Sequence, residues 1–85
     1  MRYMIVIGYL ISLRMNPKVP QAILNFGHNV RTQRTLKGMT MVQLAEKCEV
    51  EYTTISKIER GLINTTVSMV VILARALEID PKQLF

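Results

Sequence analysis

Hydrogen-bonding and charged side chains that could recognise another molecule are concentrated in residues 40–61, which read TMVQLAEKCEVEYTTISKIERG. Apolar residues recur there at the three- and four-residue intervals of a helical face, first as Leu44, Ala45 and Cys48 and then as Ile55 and Ile58. Only residues 49–51 separate the two patterns, so the predicted helices must cross closely, and Ala45 supplies the small side chain that such a crossing needs. The second helix then presents its polar face outward. This arrangement is typical of a device that reads DNA.

The distribution of charge favours a polyanionic partner. Eleven Lys and Arg residues against six Asp and Glu residues give a net charge of +5 and a pI near 9.8. Six basic residues precede the first acidic residue, Glu46: they are Arg2, Arg14, Lys18, Arg31, Arg34 and Lys37. This polarity suits one basic flank that faces phosphates, although a solvated basic surface is the alternative reading.

Residues with catalytic or metal-binding chemistry are scarce. The single histidine, His28, has no cysteine at catalytic or metal-ligand spacing, and no serine lies in a nucleophile-elbow motif. Cys48 is the only cysteine, which excludes a disulfide within the chain and favours a reducing cytoplasm. Its position beside Ala45 predicts a small core residue, with a reactive thiol as the alternative. We therefore expect no enzyme activity, no cofactor and no metal.

The chain of 85 residues divides into an apolar N-terminal extension, residues 1–19, and a helical domain, residues 20–85. Residues 4–13, MIVIGYLISL, contain only one polar side chain, Ser12. Ten residues are too few for a membrane span, which needs about 20, and no small-x-small cleavage site of a secretory signal follows. Strand-forming residues favour an extended segment, a short strand, that packs on a second copy of the chain. Alternatively, Met15 is the true start of translation.

Start and stop signals predict the helices of the domain. The first begins at Gln21 and runs to about Lys37, ending at Gly38. Thr40 caps the second helix and Thr66 caps the fourth. Asp80 followed by Pro81 predicts a fifth, short helix with proline at its first position. An apolar fraction of 49% is high for a chain of this size and predicts a surface that a dimer would cover.

Residues 22–85 resemble the Cro/CI-type, Xre-like family of helix-turn-helix transcriptional regulators. The matches that carry the resemblance are Arg34, Gly38, Leu44-Ala45, Ile55, Glu59-Arg60-Gly61, Ala76-Leu77 and Leu84-Phe85. The resemblance implies an all-α fold, a compact five-helix bundle of the lambda-repressor-like type. It also implies a symmetric homodimer on double-stranded operator DNA, with the helix from about Tyr52 in the major groove.

The resemblance assigns a role to each matching position. The residues expected to read bases are Tyr52, Thr53, Thr54 and Lys57, and those expected to hold phosphates are Thr40, Gln43, Ser56, Arg60 and Asn64. Arg34 and Glu59 are expected to form a structural ion pair between the first and third helices. The residues expected at the dimer interface are Val71, Leu77, Leu84 and Phe85.

Several positions depart from the family pattern. Met41 stands where a glutamine usually contacts phosphate, and Gln33 replaces a more usual apolar residue. Glu49 occupies a turn position where glycine usually accommodates a positive φ, so the corner must be strained or differently shaped. Glu51 adds a negative charge near the DNA. We therefore expect modest DNA affinity.

The sequence thus predicts a small DNA-binding regulator. By resemblance to single-domain members of the family, we expect a repressor or an autoregulatory controller, encoded near a phage, a mobile element or a restriction-modification cassette. Two alternatives stay open. One is an antitoxin whose N-terminal extension contacts a toxin partner. The other is a protein-interaction module that kept the helical bundle but has weak DNA affinity.

Overall fold

The computed structural model of the protein describes residues 18–85, with side chains from residue 19 onward. Four α-helices, α1 (Lys18–Leu36), α2 (Met41–Cys48), α3 (Tyr52–Glu59) and α4 (Val67–Leu77), precede a 3₁₀ helix at Pro81–Leu84. This part of the chain contains no strand, and none of its helices is long and apolar enough to cross a membrane. The short strand predicted in the N-terminal extension lies outside the described residues.

The all-helical class is confirmed for residues 18–85, but two details of the prediction need correction. The expected fifth helix is a single 3₁₀ segment of 4 residues, which Asp80 caps and Pro81 starts. The first helix begins at Lys18, earlier than the predicted Gln21. Pro20 does not prevent this start, since the amides of a first helical turn have no intrahelical partner.

The helix boundaries follow from local hydrogen bonds. Thr40 and Gln43 form a capping box at the start of α2: the Gln43 amide donates to Thr40 Oγ1 at 3.1 Å, and the Thr40 amide donates to Gln43 Oε1 at 2.8 Å. The Met69 amide donates to Thr66 Oγ1 at 3.1 Å and so caps α4. Gly38, just beyond α1, has a φ of +69°, a conformation that glycine adopts without a steric penalty.

The corner between α2 and α3 is closed by a residue in the left-handed conformation. Glu49 has φ 56° and ψ 42° and caps the C-terminus of α2. Its amide donates to the Glu46 carbonyl at 3.1 Å, and the Val50 amide donates to the Ala45 carbonyl at 3.0 Å, the pattern of a Schellman motif. Of the two shapes that the sequence left open, the chain therefore adopts the usual corner, with a residue other than glycine at the positive φ.

One hydrophobic core joins all of these helices. Its buried apolar residues are Phe26, Val30, Leu44, Ala45, Cys48, Ile55, Ile58, Leu73, Ala74, Leu77 and Leu84. The five residues that predicted the helical pair are all in this set, which confirms their apolar faces and the core position of Cys48. Leu77 and Leu84 are only 1% and 0% exposed within the single chain. Their predicted place in a dimer interface therefore needs correction, because neither has surface to offer a partner.

Candidate nucleic-acid interface

The inner side of α3 is fixed to the rest of the domain. Ile55 and Ile58 are fully buried in the core. Gly27 of α1 lies against the end of α3, where a Cβ atom would meet the Ile58 carbonyl oxygen at 2.1 Å and the Glu59 carbonyl oxygen at 3.0 Å. Only a glycine allows the two backbones to approach this closely. The position of α3 relative to α1 is thus set by direct backbone contact.

A buried ion pair attaches the same end of α3 to α1. Arg34 Nε donates to Glu59 Oε2 at 2.7 Å and Arg34 Nη2 donates to Glu59 Oε1 at 3.0 Å, so the contact is bidentate. Arg34 Nη1 also donates to the Met39 carbonyl oxygen at 2.7 Å, in the turn before α2. The two charged side chains are 10% and 4% exposed. The hydrogen bond with Glu59 raises the pKa of the Arg34 guanidinium above its usual value, while burial opposes that shift.

The outer side of α3 is free of such contacts. Tyr52, Thr53 and Lys57 are exposed, with 47% of Tyr52 accessible. Arg60, directly after the helix, is also exposed and its Nε donates to the Ser56 carbonyl oxygen at 3.3 Å. Helical spacing brings residues 53, 57 and 60 onto one stripe, which carries a hydroxyl and two positive charges. Such a stripe offers donors to base edges and phosphates.

Thr54 and Ser56 are less accessible than their neighbours on α3. Both side chains are half-buried, since residue 54 lies toward buried Ile58 and residue 56 lies between the outer and inner faces of the helix. Thr54 is therefore the weakest of the four predicted base-reading residues.

The predicted phosphate-binding residues outside α3 are exposed. Thr40 and Gln43 use their side-chain oxygens as acceptors in the capping box. The Thr40 hydroxyl hydrogen and the Gln43 amide NH₂ group are donors that the capping box does not use. Asn64 is exposed in the loop between α3 and α4. Met41, where the family usually has glutamine, is instead half-buried and packs against the core.

Two acidic side chains flank the start of α3. Glu49 and Glu51 are both exposed, and Glu51 occupies the N-cap position without a side-chain hydrogen bond to the helix. Their charges lie next to Tyr52 and reduce the positive potential at this end of the surface. The basic part of the surface is therefore its other end, at Lys57 and Arg60.

Residues 18–85 offer few groups suited to metal binding or nucleophilic chemistry. Within this range, no group of three or more His, Cys, Asp or Glu side chains could hold a metal ion. His28 is exposed on α1. Burial raises the pKa of the Cys48 thiol, which disfavours the nucleophilic thiolate.

Residues 30–84 match the family model described as helix-turn-helix. The match covers more than half of the chain, and the chain belongs to this family. More particularly, it is a member of the Xre-like group of helix-turn-helix transcriptional regulators. Comparison with curated proteins finds no match.

Three solved structures show the same fold. The restriction-modification controller protein C.AhdI from Aeromonas hydrophila is 33% identical, with a TM-score of 0.72, over 74% of this chain and 96% of that chain. The clp gene regulator ClgR from C. glutamicum is 25% identical, with a TM-score of 0.72, over 74% of this chain and 82% of that chain. The restriction-modification controller protein C.Esp1396I, a tetramer in complex with its natural 35 base-pair operator, is 30% identical, with a TM-score of 0.70, over 75% of this chain and 84% of that chain.

Sequence reasoning missed three contacts that shape this surface. It assigned no role to Gly27, to the Met39 carbonyl that accepts from Arg34, or to Asn29, whose Nδ2 donates to the Leu84 carbonyl oxygen at 3.1 Å. A glycine in the middle of a helical pattern was the available signal for the first, since it weakens a helix unless a close contact requires it. The other two join residues to backbone carbonyls and leave no pattern in the sequence.

Proposed function

We propose that this regulator binds a palindromic operator as a homodimer and inserts α3 into the major groove. The observation that carries the proposal is the division of α3 into an anchored inner side and a free polar outer side. An α-helix held in this way can enter a major groove, which is about 12 Å wide. The operator complex of C.Esp1396I supports double-stranded DNA as the partner.

Lys57 is the side chain that we assign to the most selective contact. Its ammonium group can donate to O6 and N7 of guanine. Thr53 and Thr54 can hydrogen-bond bases or touch a thymine methyl group, and Tyr52 can donate its hydroxyl or pack on a sugar. We assign Thr40, Gln43, Ser56, Arg60 and Asn64 to phosphates, where they would fix the register of the protein on the duplex.

The dimer interface that we propose is smaller than the sequence suggested. Phe85 is 77% exposed and Val71 is 37% exposed, and the exposed side chains of Val67 and Ile72 lie on the same helix as Val71. Phe85 is held in position by Phe26, whose ring centroid is 5.3 Å away. A twofold dimer formed through this apolar surface would read half-sites about 34–36 Å apart.

The similar restriction-modification controller proteins support a regulatory role. We propose that this regulator is autoregulatory and binds the DNA upstream of its own gene. A toxin as an additional partner has no comparable support and stays the antitoxin alternative. The cytoplasmic location also stays a prediction.

Fluorescence anisotropy tests this function. Full-length protein is titrated onto DNA from upstream of its own gene and onto scrambled DNA, across a series of salt concentrations. We expect selective binding. The logarithm of the binding constant should fall with the logarithm of the salt concentration, at a slope of about −0.9 for each phosphate contacted. Lys57→Ala should lose about 1–3 kcal/mol of discrimination between the two DNAs.

Lys47→Ala is the matched control, because it removes the same charge from the exposed C-terminal turn of α2, beside Arg75 and Glu78. It should leave discrimination unchanged. Weak binding that is equal on both DNAs would reject the proposal. Binding that does not respond to salt would favour the protein-interaction module, a candidate that exposed Glu49 and Glu51 at the start of α3 support.

A further inference from the structure

The proposed dimer surface and the recognition helix belong to different elements of the domain. Phe85, which is 77% exposed, directly follows the 3₁₀ helix, whereas the outer side of α3 carries Thr53 and Lys57. Helix α1 packs against both the 3₁₀ helix and α3. The contacts on either side of α1 therefore determine where the recognition helix lies relative to the twofold axis of a dimer.

The contact between α1 and α3 is rigid. Gly27 lies against the end of α3, where a Cβ atom would overlap the Ile58 carbonyl oxygen. Seven residues further along α1, which is about 10 Å at 1.5 Å per residue, Arg34 donates to both carboxylate oxygens of Glu59, at 2.7 and 3.0 Å. Two attachments about 10 Å apart on α1 resist a change of the angle between the two helices.

The contact between α1 and the 3₁₀ helix combines apolar packing with one directional bond. Leu84 is buried in the core, and the ring of Phe26 packs on that of Phe85 with 5.3 Å between centroids. Apolar packing is non-directional and so permits small sliding movements. The half-buried side chain of Asn29 adds a hydrogen bond, in which Nδ2 donates to the Leu84 carbonyl oxygen at 3.1 Å. Because a hydrogen bond prefers one distance and angle, Asn29 restrains that sliding.

Both contacts meet within one turn of α1. Phe26 contacts Phe85, Gly27 contacts the end of α3, and Asn29 bonds to the 3₁₀ helix. Residues 26–29 span about 4.5 Å along the helix axis. A movement of the dimer surface on this turn would therefore change the distance between that surface and α3 directly.

We propose that Asn29 is a positioning residue that fixes the separation of the two recognition helices, an inference that rests on the homodimer proposed above. Its consequence is a preference for one spacing of half-sites. One added base pair moves a half-site by about 3.4 Å and rotates it by about 35° around the DNA axis. A dimer with rigid contacts binds such a site poorly. Without the Asn29 hydrogen bond, the 3₁₀ helix and Phe85 can shift on α1, and the dimer follows the altered site in part.

Operators of altered spacing test this role. Full-length protein is titrated by fluorescence anisotropy onto the upstream DNA, whose half-sites are located by footprinting, and onto versions with one central base pair added or removed. Asn29→Ala should reduce the ratio of native to altered-site affinity about 2- to 10-fold, the range expected for one hydrogen bond. Lower stability alone does not change this ratio, because unfolding reduces the binding-competent fraction equally for every DNA.

Asn25→Ala is the matched control. Asn25 is an exposed asparagine of the same helix, and its Oδ1 accepts from Gln21 Nε2 at 2.8 Å within α1. This variant should keep the spacing preference of the parent. Asn29→Asp, which keeps the shape of the side chain but loses the donor, should relax the preference as Asn29→Ala does.

Spin labels measure the separation of the recognition helices without DNA. A label at exposed position 53, introduced as Thr53→Cys with Cys48→Ala, gives the distribution of distances between the two α3 helices by double electron–electron resonance. Asn29→Ala should broaden this distribution. If the parent dimer prefers one spacing and Asn29→Ala changes neither the affinity ratio nor the width, the role of Asn29 is overturned while the proposed function stands. If the parent shows no distance between subunits, the proposed homodimer fails, and the role of Asn29 fails with it.

Discussion

We expect Glu59→Ala to destabilise the domain by about 3–5 kcal/mol, because it leaves the Arg34 guanidinium charged, buried and without a partner. Exposure of the two side chains is only 10% and 4%, so solvent does little to screen the charge that remains. Two hydrogen bonds, of 2.7 and 3.0 Å, are lost, and only the one to the Met39 carbonyl remains. The whole stability of a small domain is about 5–15 kcal/mol, so the variant should lose a large share of it.

Thermal and urea unfolding followed by circular dichroism measure this effect. For a domain of 60–100 residues, each kcal/mol shifts the melting temperature by about 4–8 °C, so the expected fall is at least about 12 °C. The control is the double variant Arg34→Met/Glu59→Leu, which removes both charges and replaces them with apolar volume. It should be much closer to the parent protein in stability than Glu59→Ala is.

The same variant separates folding from DNA binding. At a temperature where Glu59→Ala remains folded, its selectivity between operator and scrambled DNA should be close to that of the parent, since Glu59 lies on the inner side of α3. Equal melting temperatures for Glu59→Ala and the parent would refute the argument. They would mean that water or rearranged neighbours compensate the charge of Arg34.

Three further predictions follow from the backbone and the core. Glu49 and Glu78 each adopt the left-handed conformation at a helix C-terminus, with φ 56°. Replacing either by glycine removes the steric cost of that conformation and should stabilise the domain by up to about 1 kcal/mol. Only Glu49→Gly should also strengthen DNA binding, measured by anisotropy. Gly27→Ala should cost about 1–3 kcal/mol in urea unfolding, because its Cβ would overlap a carbonyl of α3, while the exposed neighbour His28→Ala should stay within about 0.5 kcal/mol. Burial raises the pKa of the Cys48 thiol above its unfolded value. The stability that comes from this shift is present below the unfolded pKa and is lost as pH rises through the folded pKa. The urea midpoint of the parent should therefore fall in alkaline solution. The midpoint of Cys48→Ala should fall less steeply.

The helices and core could be predicted because their signals are local. Leu44, Ala45, Cys48, Ile55 and Ile58 repeat at helical spacing, and that spacing alone is enough to turn them toward the core. Cap residues act within one turn of their own helix, so Thr40 and Thr66 were found from their neighbours. The positive φ at Glu49 was one of two possibilities that the resemblance left open, because the family usually has glycine at this turn position.

The part that could not be predicted depends on contacts between distant segments. Leu77 and Val71 lie on the same helix and have similar chemistry, yet Leu77 is in the core and Val71 is on the surface. Amphipathic spacing gives the direction of an apolar face but not its width, so it cannot say which residues at the edge remain exposed. Leu84 likewise is buried because Asn29 and the α1 surface hold the chain end against the domain.

In the proposed function, the two sides of α3 divide structural attachment from recognition within a helix of 8 residues. Ile55, Ile58 and Glu59 secure the helix through burial and an ion pair, while Thr53 and Lys57 make none of these attachments. A change at either outer residue therefore alters the groups offered to a base without removing an interaction that positions the helix. Because surface substitutions usually change stability by less than about 0.5 kcal/mol, sequence preference on this scaffold can change at little structural cost. The inner residues lack that freedom, since each is buried against α1 or the core.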